Sequence, residues 1–145
     1  MAFPYPRRFL IEDIYVMTIA SKLQVMVVDD TSVSRMLISD ALAQIGIMSA
    51  AIARDGKQAL DQLMIKPVHL VISDMNMPGL DGLALLKALR EYKPTSKIGF
   101  ILVTGSMDKT LVERGSKLGL NNFIAKPFTT QSFRAAIEAV VGRLA

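Results

Sequence analysis

From Leu23 onward, short apolar runs alternate with longer segments in which apolar residues recur every three or four positions. The runs are Val25-Met26-Val27-Val28, Ala50-Ala51-Ile52-Ala53, Leu70-Val71-Ile72, Phe100-Ile101-Leu102-Val103 and Phe123-Ile124-Ala125. Several are continuous rather than alternating, the pattern of strands covered on both faces of a parallel sheet. Between them the period is helical. Val33, Leu37, Ala41 and Ile45 fall on one predicted face, with Ile38 and Leu42 beside them. Phe133, Ala136, Ile137, Val140, Val141 and Leu144 make a second such face near the C-terminus. Gly46 and Gly119 stand where helices should stop, and Pro94 follows the end of another. Asp81 is placed to cap a helix that begins at Gly82. Five strand–helix units in succession predict an α/β fold, a doubly wound five-stranded parallel sheet. Right-handed crossovers then put helices on both of its faces.

Residues 1–22 lie outside this pattern. Met1 to Arg8 contains two prolines and no clear period, and Met17 offers a second start directly before the first strand. Residues 1–16 are therefore read as a flexible arm or an over-long start. The predicted division is an N-terminal arm, 1–22, and one domain, 23–145. A chain of 145 residues suits one domain and can bury a core without staples.

Composition removes whole classes of chemistry. There is no cysteine, so disulfides, thiolate metal sites and cysteine nucleophiles are excluded. The single histidine, His69, cannot build a multi-histidine metal site and reads as a partly exposed residue before the third strand. Seventeen basic and 13 acidic residues give a net charge of +4. The longest basic cluster is Arg7-Arg8, without interleaved aromatics, so no nucleic-acid partner is expected. No run approaches the ~18 apolar residues of a membrane helix, so no membrane insertion is expected. Glu12 and Asp13 interrupt Phe9-Leu10-Ile11, which argues against a secretory signal. The expected compartment is the cytoplasm.

The strand ends carry the candidate chemistry. The first strand runs into Asp29-Asp30, the third into Asp74, the fourth into Thr104-Gly105 and the fifth into Lys126-Pro127-Phe128. Ligands bind outside the carboxyl ends of strands in open α/β sheets. In the strand order 2-1-3-4-5, these four ends are neighbours on one rim. Three carboxylates at one place repel and call for a cation. With oxygen ligands only, that cation should be hard, and Mg²⁺ fits best. An ammonium and a hydroxyl nearby suit phosphoryl oxygens, and one carboxylate can serve as nucleophile.

Residues 23–144 resemble a response-regulator receiver domain of two-component signalling, most closely the single-domain chemotaxis regulators of the CheY type. The resemblance rests on Val27-Val28-Asp29-Asp30, on Ile72 to Gly82 with Asp74 and Met77-Pro78-Gly79, on Val103-Thr104-Gly105, and on Ala125-Lys126-Pro127-Phe128-Thr129. It implies a flavodoxin-like fold. It also implies that Asp74 accepts the phosphoryl group and that Asp30 binds Mg²⁺ directly, with Asp29 acting through water. The Asn76 carbonyl would be a third protein ligand. Lys126 and Thr104 would hold phosphoryl oxygens, and Phe123 would turn inward as Thr104 moves. The Lys126–Pro127 bond would be cis. Two positions depart from well-known members: Phe123 lacks a tyrosine hydroxyl, and Ser106 stands where several have an acid. Ser106 and Asn76 flank the path of the attacking water.

Plainer readings exist for these residues. Asp29 and Asp30 could cap the following helix, which Thr31 or Ser32 could also do alone. Asp74 could be a turn residue, Thr104 a β-branched strand end, and Lys126 a solvated lysine. The resemblance implies a phosphorylation switch rather than a conventional enzyme, with Mg²⁺-dependent self-phosphorylation and self-dephosphorylation. The phosphodonor would be a histidine kinase or phosphotransfer domain, the target the flagellar motor switch, and the chain a monomer. No effector domain follows the last helix, so output is expected through protein contact. A phosphate sink draining a shared kinase is the alternative. An aspartate-nucleophile phosphatase of the haloacid-dehalogenase kind is remote, because that class carries a second Asp two residues after the first, whereas the pair here is adjacent and residue 32 is serine. No Gly-Lys-Ser/Thr loop supports a P-loop nucleotidase.

Overall fold

A computed structural model describes residue 20 and residues 22–144. Five strands, β1 (Val25–Val28), β2 (Ala51–Ala53), β3 (Leu70–Asp74), β4 (Gly99–Thr104) and β5 (Asn122–Ala125), alternate with five helices. The helices are α1 (Ser32–Gln44), α2 (Gly56–Ile65), α3 (Gly82–Glu91), α4 (Lys109–Lys117) and α5 (Thr130–Val141). A 3₁₀ turn at Lys93–Thr95 follows α3 and contains Pro94. The strands form one parallel sheet in the order β2-β1-β3-β4-β5, as the sequence predicts. The expected N-terminal arm and alternative start fall almost entirely outside the described residues. Ala20 is buried and packs in the core.

Side chains alternate between two apolar layers along each central strand. Val25, Val27, Leu70, Ile72, Ile101 and Val103 meet Ile38 and Leu42 of α1 and Phe133 and Ile137 of α5. Met26, Val28, Val71, Phe100 and Leu102 meet Leu63 of α2, Leu83, Leu86 and Leu89 of α3 and Leu111 of α4. Both faces of β1, β3 and β4 are therefore covered, which is why those runs are continuously apolar. β2 is different. It is an edge strand, and Ala51 and Ile52 are exposed.

The predicted face of α1 needs correction. Ile38, Ala41, Leu42 and Ile45 are buried, but Val33 is 63% and Leu37 54% exposed. The buried stripe is centred on Ile38 and Leu42. Val33 and Leu37 each stand five residues before one of these, about 140° around a 3.6-residue helix, and so face away. Gly46 and Gly119 end α1 and α4 in left-handed backbone, at φ of +93° and +78°. A β-carbon disfavours that conformation and glycine does not.

Candidate functional site

The carboxyl ends of β1, β3, β4 and β5 bring the predicted residues to one rim. Asp74 is the last residue of β3 and Thr104 the last of β4, while Asp29 follows β1 and Lys126 follows β5. Asp74 pairs in register with Val103, and Thr104 with Ala125. Gly82 lets α3 start against the end of β3. A β-carbon there would come within 2.7 Å of the Asp74 carbonyl oxygen and 2.5 Å of Leu102 Cδ1.

Asp29, Asp30 and Asp74 each offer a carboxylate oxygen, and the three atoms lie within 4.8 Å of one another. Asp29 is fully buried and Asp74 nearly so, whereas Asp30 is exposed. At such separations, each like-charge pair costs on the order of 3 kcal/mol at an effective dielectric of about 20. Lys126 offsets part of this, with Nζ donating to Asp74 Oδ1 at 3.1 Å. Burial pushes the Asp74 carboxyl above its ordinary pKa. Lys126 pulls it back down, and the charges of Asp29 and Asp30 push it up again.

Asp29 is held in a tight turn. Its Oδ1 accepts from the Thr31 amide at 3.0 Å and the Thr31 hydroxyl at 3.2 Å. Arg35 Nη1 donates to the Asp29 carbonyl at 2.8 Å. The other carboxylate oxygen, Oδ2, is buried with no hydrogen-bond partner. An unpaired buried carboxylate oxygen facing two more carboxylates is costly unless a cation joins them. The donor set is all oxygen, and these residues fit a hard divalent cation. The simple capping role is also absent: Thr31 is the N-cap of α1, but its side chain makes no capping bond. Asp81 does cap α3, accepting from the Ala84 amide at 2.8 Å.

The Thr104 hydroxyl is engaged elsewhere on the rim. It accepts from the Ser106 amide at 3.1 Å and donates to the Ser106 carbonyl at 3.2 Å. Asn76, exposed in the β3–α3 loop, joins Thr104, Ser106 and Arg114 around a cleft of about 260 Å³. Phe123 is half-buried in β5, and its Cζ lies 3.2 Å from where a β-carbon on Gly115 of α4 would stand. The Lys126–Pro127 bond is cis. His69 is exposed, with Nδ1 accepting from the Gln24 amide at 2.9 Å.

Two contributors escaped the sequence reading. Thr31 was legible only as a helix cap, although a hydroxyl two residues after an Asp also closes a local turn. Arg35 carries no sequence signal, because its partner is the Asp29 carbonyl six residues earlier.

Comparison with known proteins gives a consistent picture. The family described as "Response regulator receiver domain" matches residues 25–138. A Rhizobium etli protein named "Probable chemotaxis protein CheY" is 48% identical over 128 residues, covering 88% of this chain and 99% of that protein. A Campylobacter jejuni "Chemotaxis protein CheY homolog" is 36% identical over 121 residues, covering 83% and 93%. Among solved structures, Vibrio cholerae chemotaxis protein CheY4 superposes with a TM-score of 0.76 at 25% identity, covering 81% of this chain and 98% of that one. No helix among the described residues is long and apolar enough to cross a membrane.

Proposed function

The chain belongs to the response regulator receiver-domain family, and on that premise we propose that it is a single-domain chemotaxis response regulator phosphorylated on Asp74. The observation that carries this reading is the rim itself: three carboxylates within 4.8 Å, one paired at 3.1 Å with Lys126. That set would provide a nucleophile, a cation site and a fixed positive charge, drawn from the ends of β1, β3 and β5.

In the proposed reaction, an Asp74 carboxylate oxygen attacks the phosphorus of a phosphohistidine on a histidine kinase or phosphotransfer domain. The P–O bond forms, the P–N bond breaks, and the histidine nitrogen departs with a proton. The product is an acyl phosphate. Asp29, Asp30, Asp74 and the Asn76 carbonyl would hold Mg²⁺, which when bound neutralises phosphoryl charge. Lys126 moves its ammonium from the Asp74 carboxylate to a phosphoryl oxygen. Thr104 leaves Ser106 and hydrogen-bonds another. Phe123 then turns from Gly115 toward the space beside Thr104, and the surface around β5 changes its affinity for a protein target. Water attack on phosphorus returns the Asp74 carboxylate and inorganic phosphate.

An apolar surface borders the rim at Lys126. Leu37, Pro127 and Phe128 line a hollow of about 360 Å³ with Ser34 and Lys126, and Val33 is exposed on the same helix as Leu37. We assign this surface to the phosphodonor. The proposed setting is the cytoplasm, the protein acts as a monomer, and the flagellar motor switch is the proposed target.

The test is labelling with acetyl phosphate or a phosphorylated kinase domain, with Mg²⁺ and with EDTA. Wild type should take up a base-labile label only with Mg²⁺, and Asp74→Asn should take up none. Equal labelling of both proteins would remove Asp74 from its role. Capture of the motor switch protein only by the phosphorylated form would separate motor output from a phosphate sink.

A further inference from the structure

Arg35 is the fourth residue of α1 and stands six positions after Asp29. A cation in the first turn of a helix opposes the helix dipole, so that position needs another reason. Among the described residues Arg35 makes no ion pair, although three carboxylates stand on the same rim. It is half-buried, and its guanidinium is directed at backbone: Nη1 donates to the Asp29 carbonyl at 2.8 Å. Its own amide donates to the Thr31 carbonyl at 3.0 Å. Arg35 therefore grips the corner of residues 29–31 at both ends.

The rest of the corner is fixed in the same way. The Asp29 amide donates to the Ala53 carbonyl of β2 at 3.1 Å. Asp29 Oδ1 accepts from the amide and the hydroxyl of Thr31, and only Oδ2 lacks a partner. Asp30 is different, because its side chain is exposed. Packing does not place it, so the backbone must. A peptide unit is planar, so the Asp29 carbonyl and the Asp30 Cα move as one body. By holding that carbonyl, Arg35 sets the point from which the Asp30 carboxylate comes within 4.8 Å of those of Asp29 and Asp74.

We propose that Arg35 is a positioning residue for the cation site, holding the Asp29–Asp30 peptide so that both carboxylates are preorganised for Mg²⁺. This role rests on the proposed cation site and adds to it a residue that bonds none of the three carboxylates. The sign of its effect separates positioning from charge. A guanidinium repels a divalent cation through space, so loss of the charge alone would tighten Mg²⁺ binding. Loss of positioning weakens it. Partners that orient metal ligands change affinity by about 10–100-fold, and a single bond to one carbonyl belongs at the lower end.

The experiment measures Mg²⁺ binding to the full, metal-stripped chain by titration calorimetry and by the rise of the urea midpoint with Mg²⁺. The proteins are wild type, Arg35→Ala, Arg35→Lys and Lys87→Ala, the last removing an exposed cation that faces Glu91 on α3. Arg35→Ala should raise the Mg²⁺ Kd by about 10-fold. Arg35→Lys keeps the charge but loses the planar fork, and should raise Kd by less. Lys87→Ala should match wild type. Circular dichroism checks folding, and Arg35→Lys carries the test if Arg35→Ala does not fold. A purely structural Arg35 would lower the urea midpoint equally in EDTA and in saturating Mg²⁺ and leave Kd unmoved. That result overturns the proposal, as does a lower Kd for Arg35→Ala. A wild type that binds no Mg²⁺ overturns the cation site and this role together. Acetyl phosphate labelling of wild type against Asp74→Asn tests the phosphoacceptor separately, so an unmoved Kd leaves that reading standing.

Discussion

At the scale of single residues, the acidic rim sets stability against function. Asp29 is fully buried, has one orphaned oxygen, and faces two more carboxylates. Replacing Asp29 by Asn removes a charge while keeping the shape. Without Mg²⁺, Asp29→Asn should therefore raise stability by roughly 1–2 kcal/mol, since a buried amide is less costly than an unpaired buried carboxylate. Urea midpoints in EDTA measure this, and a lowered midpoint would contradict it. Mg²⁺ at 100 times its Kd should stabilise wild type by about 2.7 kcal/mol, an increment Asp29→Asn should largely lose. Lys126 is the counterpart. Lys126→Ala leaves Asp74 without the 3.1 Å ion pair that opposes the effect of its burial. Labelling from acetyl phosphate should fall by roughly 10-fold or more, with the folded structure retained by circular dichroism.

At the scale of elements, the helix starts differ in a way that bears on the site. Asp55, Asp81 and Asp108 each cap a helix with a side-chain bond, at Gln58, Ala84 and Leu111. The cap of α1 makes none, because the Thr31 hydroxyl is turned to Asp29 instead. Asp81→Ala should thus cost about 1 kcal/mol through the lost cap. Thr31→Ala should leave α1 capping unchanged and act only through Asp29, so its cost should shrink in an Asp29→Asn background. A double-mutant cycle on urea midpoints checks this, and additive effects would show that Thr31 supports the helix rather than the acid. The Asp81 cap was readable in advance, because an Asp before a periodic run is a local signal, while the caps at Asp55 and Asp108 emerged only from the structure. The exposed half of α1 was not readable either. Val33 and Leu37 fit a helical period as well as Ile38 and Leu42 do, and only packing on the sheet fixed which stripe is inside.

At the scale of the whole molecule, the parallel order β2-β1-β3-β4-β5 separates two poles. One holds the rim of Asp29, Asp30, Asp74, Thr104 and Lys126, and the other exposes Met48 and Ile65. The apolar surface at Leu37 and Phe128 borders the first pole through Lys126. Leu37→Asp should therefore slow phosphoryl transfer from a protein donor by about 10-fold, the size of about 1.4 kcal/mol in docking. It should leave labelling by acetyl phosphate unchanged, since a small donor needs no docking surface. Equal slowing with both donors would place Leu37 in folding or chemistry instead. The amino-acid order by itself determined the elements, the doubly wound class and the strand-end candidates Asp29, Asp30, Asp74, Thr104 and Lys126, because apolar period and strand-end residue types are local properties of the chain; Asn76 and Phe123 entered only through the family resemblance. Only the tertiary structure decided that Asp29 Oδ2 is orphaned, that Thr104 rests on Ser106, that Arg35 holds the Asp29 carbonyl, and that Ile65 stands in water beside β2. Those facts depend on the spacing and direction of side chains from elements distant in sequence, which packing sets and periodicity does not encode.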